Sequence, residues 1–140
     1  MARLDLYSKR DGNVQQQGGL NWGFSDGHVC IDDAYEAITH DFILNHPNFF
    51  PAAGSVINVI WDDQAIMLCS VEGTQKINGI IYPKQLTSAY DKSIFGAYIR
   101  NRMGIPSGKR IQMSDLDHYG RRDIEIIKLP NNTYYFDFHV

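Results

Sequence analysis

The residues able to do chemistry are few, and their spacing excludes the commonest ways of cutting a phosphodiester. Phospholipase-D-type nucleases place a lysine two positions after a histidine, with an acid further on. None of His28, His40, His46, His118 and His139 has that lysine. The common metal-dependent nuclease core needs an acid, one residue, then a lysine on one strand. The run DIEIIK sets Glu125 and Lys128 one residue too far apart, and strand alternation sends them to opposite faces. The histidines and the two cysteines, Cys30 and Cys69, show no zinc spacing. Gly18-Gly19 is not followed by the Gly-Lys-Ser/Thr of a phosphate loop. In GIPSGKR the proline removes a backbone donor, so this run reads as a helix-to-strand connection that can touch a phosphate through Lys109 or Arg110. No catalytic residue, metal site or cofactor is expected.

Recognition chemistry is better supplied. Residues 8–23, SKRDGNVQQQGGLNWG, offer Lys9, Arg10, Asn13, Gln15, Gln16, Gln17 and Asn21. Amide side chains present donor and acceptor together and suit adenine; Arg and Lys suit guanine in the major groove. In an extended segment Gln15 and Gln17 project together and Gln16 oppositely. Gly18 and Gly19 let backbone amides approach a phosphate closely. On these residues alone, a flexible polar hairpin with no ligand fits equally well.

The formal net charge of −3 hides an asymmetry. Residues 11–75 carry nine acids and no Lys or Arg, while the rest of the chain sets 13 bases against seven acids. Residues 76–110 alone hold Lys76, Lys84, Lys92, Arg100, Arg102, Lys109 and Arg110 against Asp91. The overall balance argues against an unspecific polyanion binder, and the local balance permits one basic face. No apolar run approaches the roughly 20 residues of a membrane span. The start, MARLDLYSKR, has no apolar signal-peptide region. With two unmotivated cysteines, a reducing cytoplasmic setting is expected.

The elements that must position these residues are short. With 140 residues, 44% of them hydrophobic, one domain spanning 1–140 is expected. LDLYSK alternates as a strand, and Asp11-Gly12 is a hairpin-type turn. DAYEAI fits strand or helix. HDFILNH is a helical turn stopped before Pro47. SVINVIWDD and QAIMLCSVEG are strands joined at Asp62-Asp63, and KINGIIYP is a further extended stretch. The clearest helix is SIFGAYIRNRMG, with Ser93 as cap, Gly104 as stop, and Arg100 and Asn101 pointing away from its apolar face. SDLDHYG repeats the logic with Ser114 and Gly120. DIEIIKL and TYYFDFHV flank the turn Pro130-Asn131-Asn132. Many short strands with few short helices indicate a mainly β sandwich or barrel.

The run LYSKRDGNVQQQGGLNWG resembles a pattern of Leu-Tyr-Ser, a glycine turn, then Gly-Leu-Asn-Trp-Gly, found in the C-terminal domain of NgoFVII-type restriction endonucleases. EAI, FFP, VIWDD, FGAYIRNRMGIPSG, DLDHYGR and YYFDF follow in the same order, so the resemblance covers Leu6 to Phe138. It implies a seven-stranded open β-barrel, the pseudobarrel of plant B-three transcription factors and of the BfiI and EcoRII recognition domains. It further implies sequence-specific binding of double-stranded DNA by two arms in the major groove. The N-arm maps to 8–23, with Ser8, Lys9, Arg10, Asn13, Gln15, Gln17 and Asn21. The C-arm maps to 70–92, with Lys76, Asn78, Tyr82, Lys84 and Gln85. Arg100, Arg102 and Lys109 are expected on phosphates, and Trp22 as the packing anchor of the N-arm. The implied parent is a type II restriction endonuclease whose phospholipase-D-like nuclease domain lies outside this chain; the isolated domain is expected to be monomeric. The alternative is a compact metal-dependent nuclease with an unrecognised site.

Overall fold

The computed structural model describes residues 2–140. Seven strands form one nearly closed, barrel-like sheet. They are β1 (Ala2–Asp5), β2 (Glu36–Ala37), β3 (Val56–Trp61), β4 (Ile66–Ile77), β5 (Ile80–Ser88), β6 (Asp123–Leu129) and β7 (Thr133–Asp137). Their order is β1-β6-β7-β3-β4-β5-β2. Every neighbouring pair is antiparallel except β3 and β7, which run parallel. Three helices, α1 (His40–Asn45), α2 (Ser93–Met103) and α3 (Met113–Tyr119), lie in the connections.

Strand alternation builds the core. Ile57, Val59 and Trp61 of β3 point inward, as do Met67, Cys69 and Val71 of β4. Ile124 and Ile126 of β6 meet Tyr134 and Phe136 of β7 inside the barrel. Phe95, Ile99 and Leu116 bring α2 and α3 onto the same core. Burial alone raises the Cys69 thiol to about 12, which makes it an inert core residue. The same cause raises Tyr134 to about 12, although its hydroxyl still donates to the Phe49 carbonyl at 2.6 Å.

Three local expectations change. KINGIIYP is not one extended stretch but the tip of a hairpin. Asn78 and Gly79 take φ of 52° and 82°, the left-handed pair that a two-residue turn needs, and Ile77 pairs with Ile80 across it. Ser93 does not cap α2. Lys92 occupies the cap position, and the Asp91 carboxylate accepts from both the Ser93 amide and its hydroxyl. Ser114 does not cap α3 either: Gln112 does, in a reciprocal box with Asp115. Gly104 and Gly120 do end their helices in the left-handed conformation, φ 72° and 101°.

The two ends of the sheet leave a seam. Between β1 and β2 runs the stretch that opens with residues 8–13 and ends in the 3₁₀ turns of Gly19–Phe24. Glu36 of β2 is buried, and burial, with Asp5 adding to it, holds its carboxyl well above the usual range. It is therefore neutral over a wider pH span than an ordinary glutamate.

Candidate nucleic-acid interface

The first arm begins at Ser8. Its amide donates to the Asn13 carbonyl at 2.9 Å, and its own carbonyl accepts from Gly12 and Asn13. The Ser8 hydroxyl adds the Asp11 amide, so residues 8–13 are a tight, self-bonded hairpin with Gly12 at φ 67°. Val14 then dips into the core. Lys9 pairs with Asp5 at 3.2 Å, while Arg10 is 88% exposed and meets only its neighbour Asp11. Gln15 and Gln17 are exposed, as is Gln16, which reaches towards Gln112 of the α2–α3 connection. Three glutamines in succession thus face solvent instead of alternating, because 15–18 is a loop and not a strand.

The arm is fastened by one buried amide. Asn21 Nδ2 donates to the carbonyls of Gln15 and Ile111, at 2.7 and 2.8 Å, and its Oδ1 accepts from the Ile111 amide at 2.8 Å. Both ends of that amide are used, so Asn21 is removed from the set of base readers. Trp22 packs edge-on against Tyr35, and the Lys92 ammonium sits 4.6 Å above its ring. This places Trp22 at the arm's base, where the sequence put it.

The second arm is the outer part of the β4–β5 hairpin. Lys76 and Asn78 are exposed; Lys84 is exposed opposite Gly73, and Tyr82 and Gln85 are half-buried. Gln75 ties the hairpin down by donating to the Ile38 carbonyl at 2.7 Å, and braces it internally by donating to the Pro83 carbonyl of β5 at 2.9 Å.

One short strand joins the arms. The Tyr35 amide donates to the Gly19 carbonyl at the end of the first arm, and the Ile38 amide donates to Lys84 on the second. Between them Glu36 and Ala37 pair with Leu86 and Gln85. The two attachment points are three residues apart on extended backbone, roughly 10 Å.

Two expected phosphate contacts are spent inside the protein. Arg100 is 1% exposed. Its Nε lies 3.2 Å from Asp32 and donates to the Lys109 carbonyl, and its other nitrogens donate to Gly96 and Leu20. The cost of burying a guanidinium is met by an acid and three carbonyls, so it cannot turn outward without stripping the buried Asp32 of its counter-charge. Asp32 in turn accepts from the Ser107 hydroxyl and the Gly108 amide, which fixes the loop before Lys109. Gly96 allows this, since a Cβ there would lie 1.8 Å from the Asp32 carbonyl oxygen. Arg102 grips Asp62 with two bonds, 2.7 and 3.1 Å, and takes the Tyr98 hydroxyl as well. Burial opposes the charge on Asp62, but the Arg102 and Phe138 donors outweigh it and lower the carboxyl's pKa.

Among the described residues, Lys76, Lys84, Lys109, Arg110 and Lys128 form no ion pair. Four of these five lie on the second arm or the α2–α3 connection. Arg110 stacks over Phe24, 4.5 Å from its centroid, beside the end of the first arm. Lys109 is exposed on the same connection. The donor atoms of Asp62, Asp137 and His139 lie within 4.8 Å of one another, the geometry of a possible cation site. Arg102 already occupies Asp62, and Arg121 lies 3.3 Å from Asp137, so guanidinium groups hold the places a metal would take.

A nearly closed seven-stranded sheet of this kind, with few short helices, is the architecture of a B3-like DNA-binding domain. The model of the NgoFVII C-terminal B3-like DNA-binding domain matches residues 2–130, and the chain belongs to that family. No curated protein matches the chain. The family is one of DNA-binding domains, so DNA is the partner; among the described residues no helix is long and apolar enough to cross a membrane.

Proposed function

We propose that residues 1–140 act as one target-recognition domain, binding double-stranded DNA in a sequence-specific way with both arms in the major groove. The observation that carries this reading is the distribution of unpaired charge. Most cations of the chain are neutralised internally, yet Lys76, Lys84, Lys109, Arg110 and, apart from them on β6, Lys128 are left without an acid, and Arg10 has only Asp11 beside it. Retaining such charges where the protein offers no partner suits a phosphate-lined ligand. On this reading Arg10, Asn13, Gln15 and Gln17 read bases from the first arm, with Ser8 and Lys9 setting its geometry. Asn78, Tyr82, Lys76 and Lys84 act from the second. Lys109 and Arg110 take phosphates, which position without specifying.

The domain serves a type II restriction endonuclease in the cytoplasm, works beside that enzyme's nuclease domain, and is monomeric when isolated. It does not itself cut. The test is a gel-shift selection from a randomised duplex pool using the purified chain. Enrichment of one sequence supports the reading. Retention of the whole pool equally, or of none of it, contradicts it. Cleavage of duplex in the presence of Mg²⁺ would replace it with an enzymatic one.

A further inference from the structure

The tip of the second arm is apolar where it should be polar if it met only water. Ile80 is 56% and Ile81 67% exposed, immediately after the Asn78-Gly79 turn. The register sets Ile81 opposite Lys76 and Ile80 opposite Ile77. Two adjacent isoleucines therefore project from the two faces of one ribbon, with unpaired lysines on either side along the chain.

The ribbon is also built to be inserted. Its last tie to the barrel is the bond from Gln75 to the Ile38 carbonyl, so residues 76–82 are held chiefly by their own ladder and by partial packing of Ile77 and Tyr82 on the core. A two-stranded ribbon fits the major groove. Most of what the groove displays is polar, and isoleucine cannot hydrogen-bond to it. The one apolar feature there is the C5-methyl group of a pyrimidine, carried by thymine or by 5-methylcytosine. An aliphatic tip between two cations matches that feature flanked by phosphates.

We propose that Ile80 and Ile81 are specificity-determining residues that read pyrimidine C5-methyl groups in the major groove. This rests on the DNA-binding reading above. It deepens that reading by adding apolar contacts to a recognition surface whose sequence signal was entirely polar.

The experiment uses duplexes recovered by selection with the whole chain, measured by fluorescence anisotropy. Each thymine is replaced in turn by deoxyuridine, which removes only the methyl group; in parallel, each cytosine is replaced by 5-methylcytosine. At one or two positions, removing the methyl lowers affinity about fourfold, or adding it raises affinity by the same factor, as expected for one buried carbon group. Sensitivity to deoxyuridine assigns the methyl to thymine, and gain with 5-methylcytosine assigns it to the modified base. Ile80→Ser and Ile81→Ser bind more weakly and no longer distinguish the paired duplexes. Both side chains are exposed, so both variants keep the parent's melting temperature within about a degree or two. Equal affinity for all methylated and unmethylated partners overturns the proposal while leaving sequence-specific binding intact, as does undiminished discrimination in both serine variants. Failure to recover any sequence overturns the DNA-binding reading itself, and this one with it.

Discussion

The two arms are held in place by opposite physical means. The first is irregular and borrows its shape. Ser8 organises one end of it, and the buried Asn21 amide clamps the other to Ile111. The second carries its own order as a β-ribbon and needs only an Asn-Gly turn and a tie at Gln75. Their surfaces differ as well: Arg, Asn and Gln on the first, isoleucine between lysines on the second. One arm is thus fixed by a few long-range bonds, the other by a repeated ladder. A single substitution should unfasten the first, whereas the second should yield only gradually.

The largest break follows from Asn21→Ala. It orphans two carbonyls and one amide, at about 1–3 kcal/mol for each buried group left unpaired. A loss of about 3 kcal/mol in denaturant unfolding is expected. Hydrogen exchange should quicken at residues 15–23 while the β4–β5 ladder keeps its protection. Equal loosening of both arms would show that they are not independently fixed.

Arg10→Ala comes next. If Arg10 reads a base, it costs about 1–3 kcal/mol on the selected sequence and less on random DNA, measured by anisotropy. Equal weakening on all sequences moves Arg10 to the phosphate-binding class. Lys109→Ala supplies the contrast. It should weaken all duplexes alike and lower the salt slope of log affinity by about 1.

On the second arm, Gly79→Ala meets no neighbour, since nothing lies within 4 Å of the added carbon. Only the positive φ of 82° is strained. A loss of about 1 kcal/mol is expected from that alone, read as a small fall in melting temperature. A much larger fall would mean that the turn holds more than itself.

A pH-dependent effect tests the strand that links the arms. Glu36 is buried with its pKa raised. A carboxyl whose folded pKa exceeds its unfolded value contributes stability that is present in full below the unfolded pKa, near 4.3. That stability is lost as pH rises through the folded pKa, because the unfolded chain releases its proton first. Glu36→Gln should therefore leave the melting temperature near pH 4 almost unchanged and raise it at neutral and alkaline pH. A variant less stable at every pH would point instead to an ionised, partnered Glu36.

Much of this was legible in the amino-acid order. Alternation in VINVIW and IMLCSV, the turns at Asp11-Gly12 and Pro130-Asn131-Asn132, and the terminal glycines of two helices all act through local backbone physics. What was not legible depends on partners far away in the chain. Arg100 reads as an outward cation on a helix until Asp32, distant in sequence, arrives through the gap at Gly96. Asn21 reads as a base reader until Ile111 meets it. Arg102 is claimed by Asp62 in the same way. Composition shows how many cations there are, but only tertiary pairing shows which remain for a ligand. The isoleucine tip was missed for another reason: KINGIIYP looks like one extended stretch until Asn78-Gly79 is seen to fold it back.

The claim that two separate arms enter the major groove is tested most directly by dimethyl sulfate interference, which reports guanine N7 in that groove. The measurement uses the selected duplex bound by the parent chain, by Arg10→Ala, and by a variant carrying Lys76→Ala and Lys84→Ala. Two clusters of interference are expected, with the first variant losing one and the second variant losing the other. A single cluster weakened by both variants, or none despite tight binding, would contradict the two-arm account.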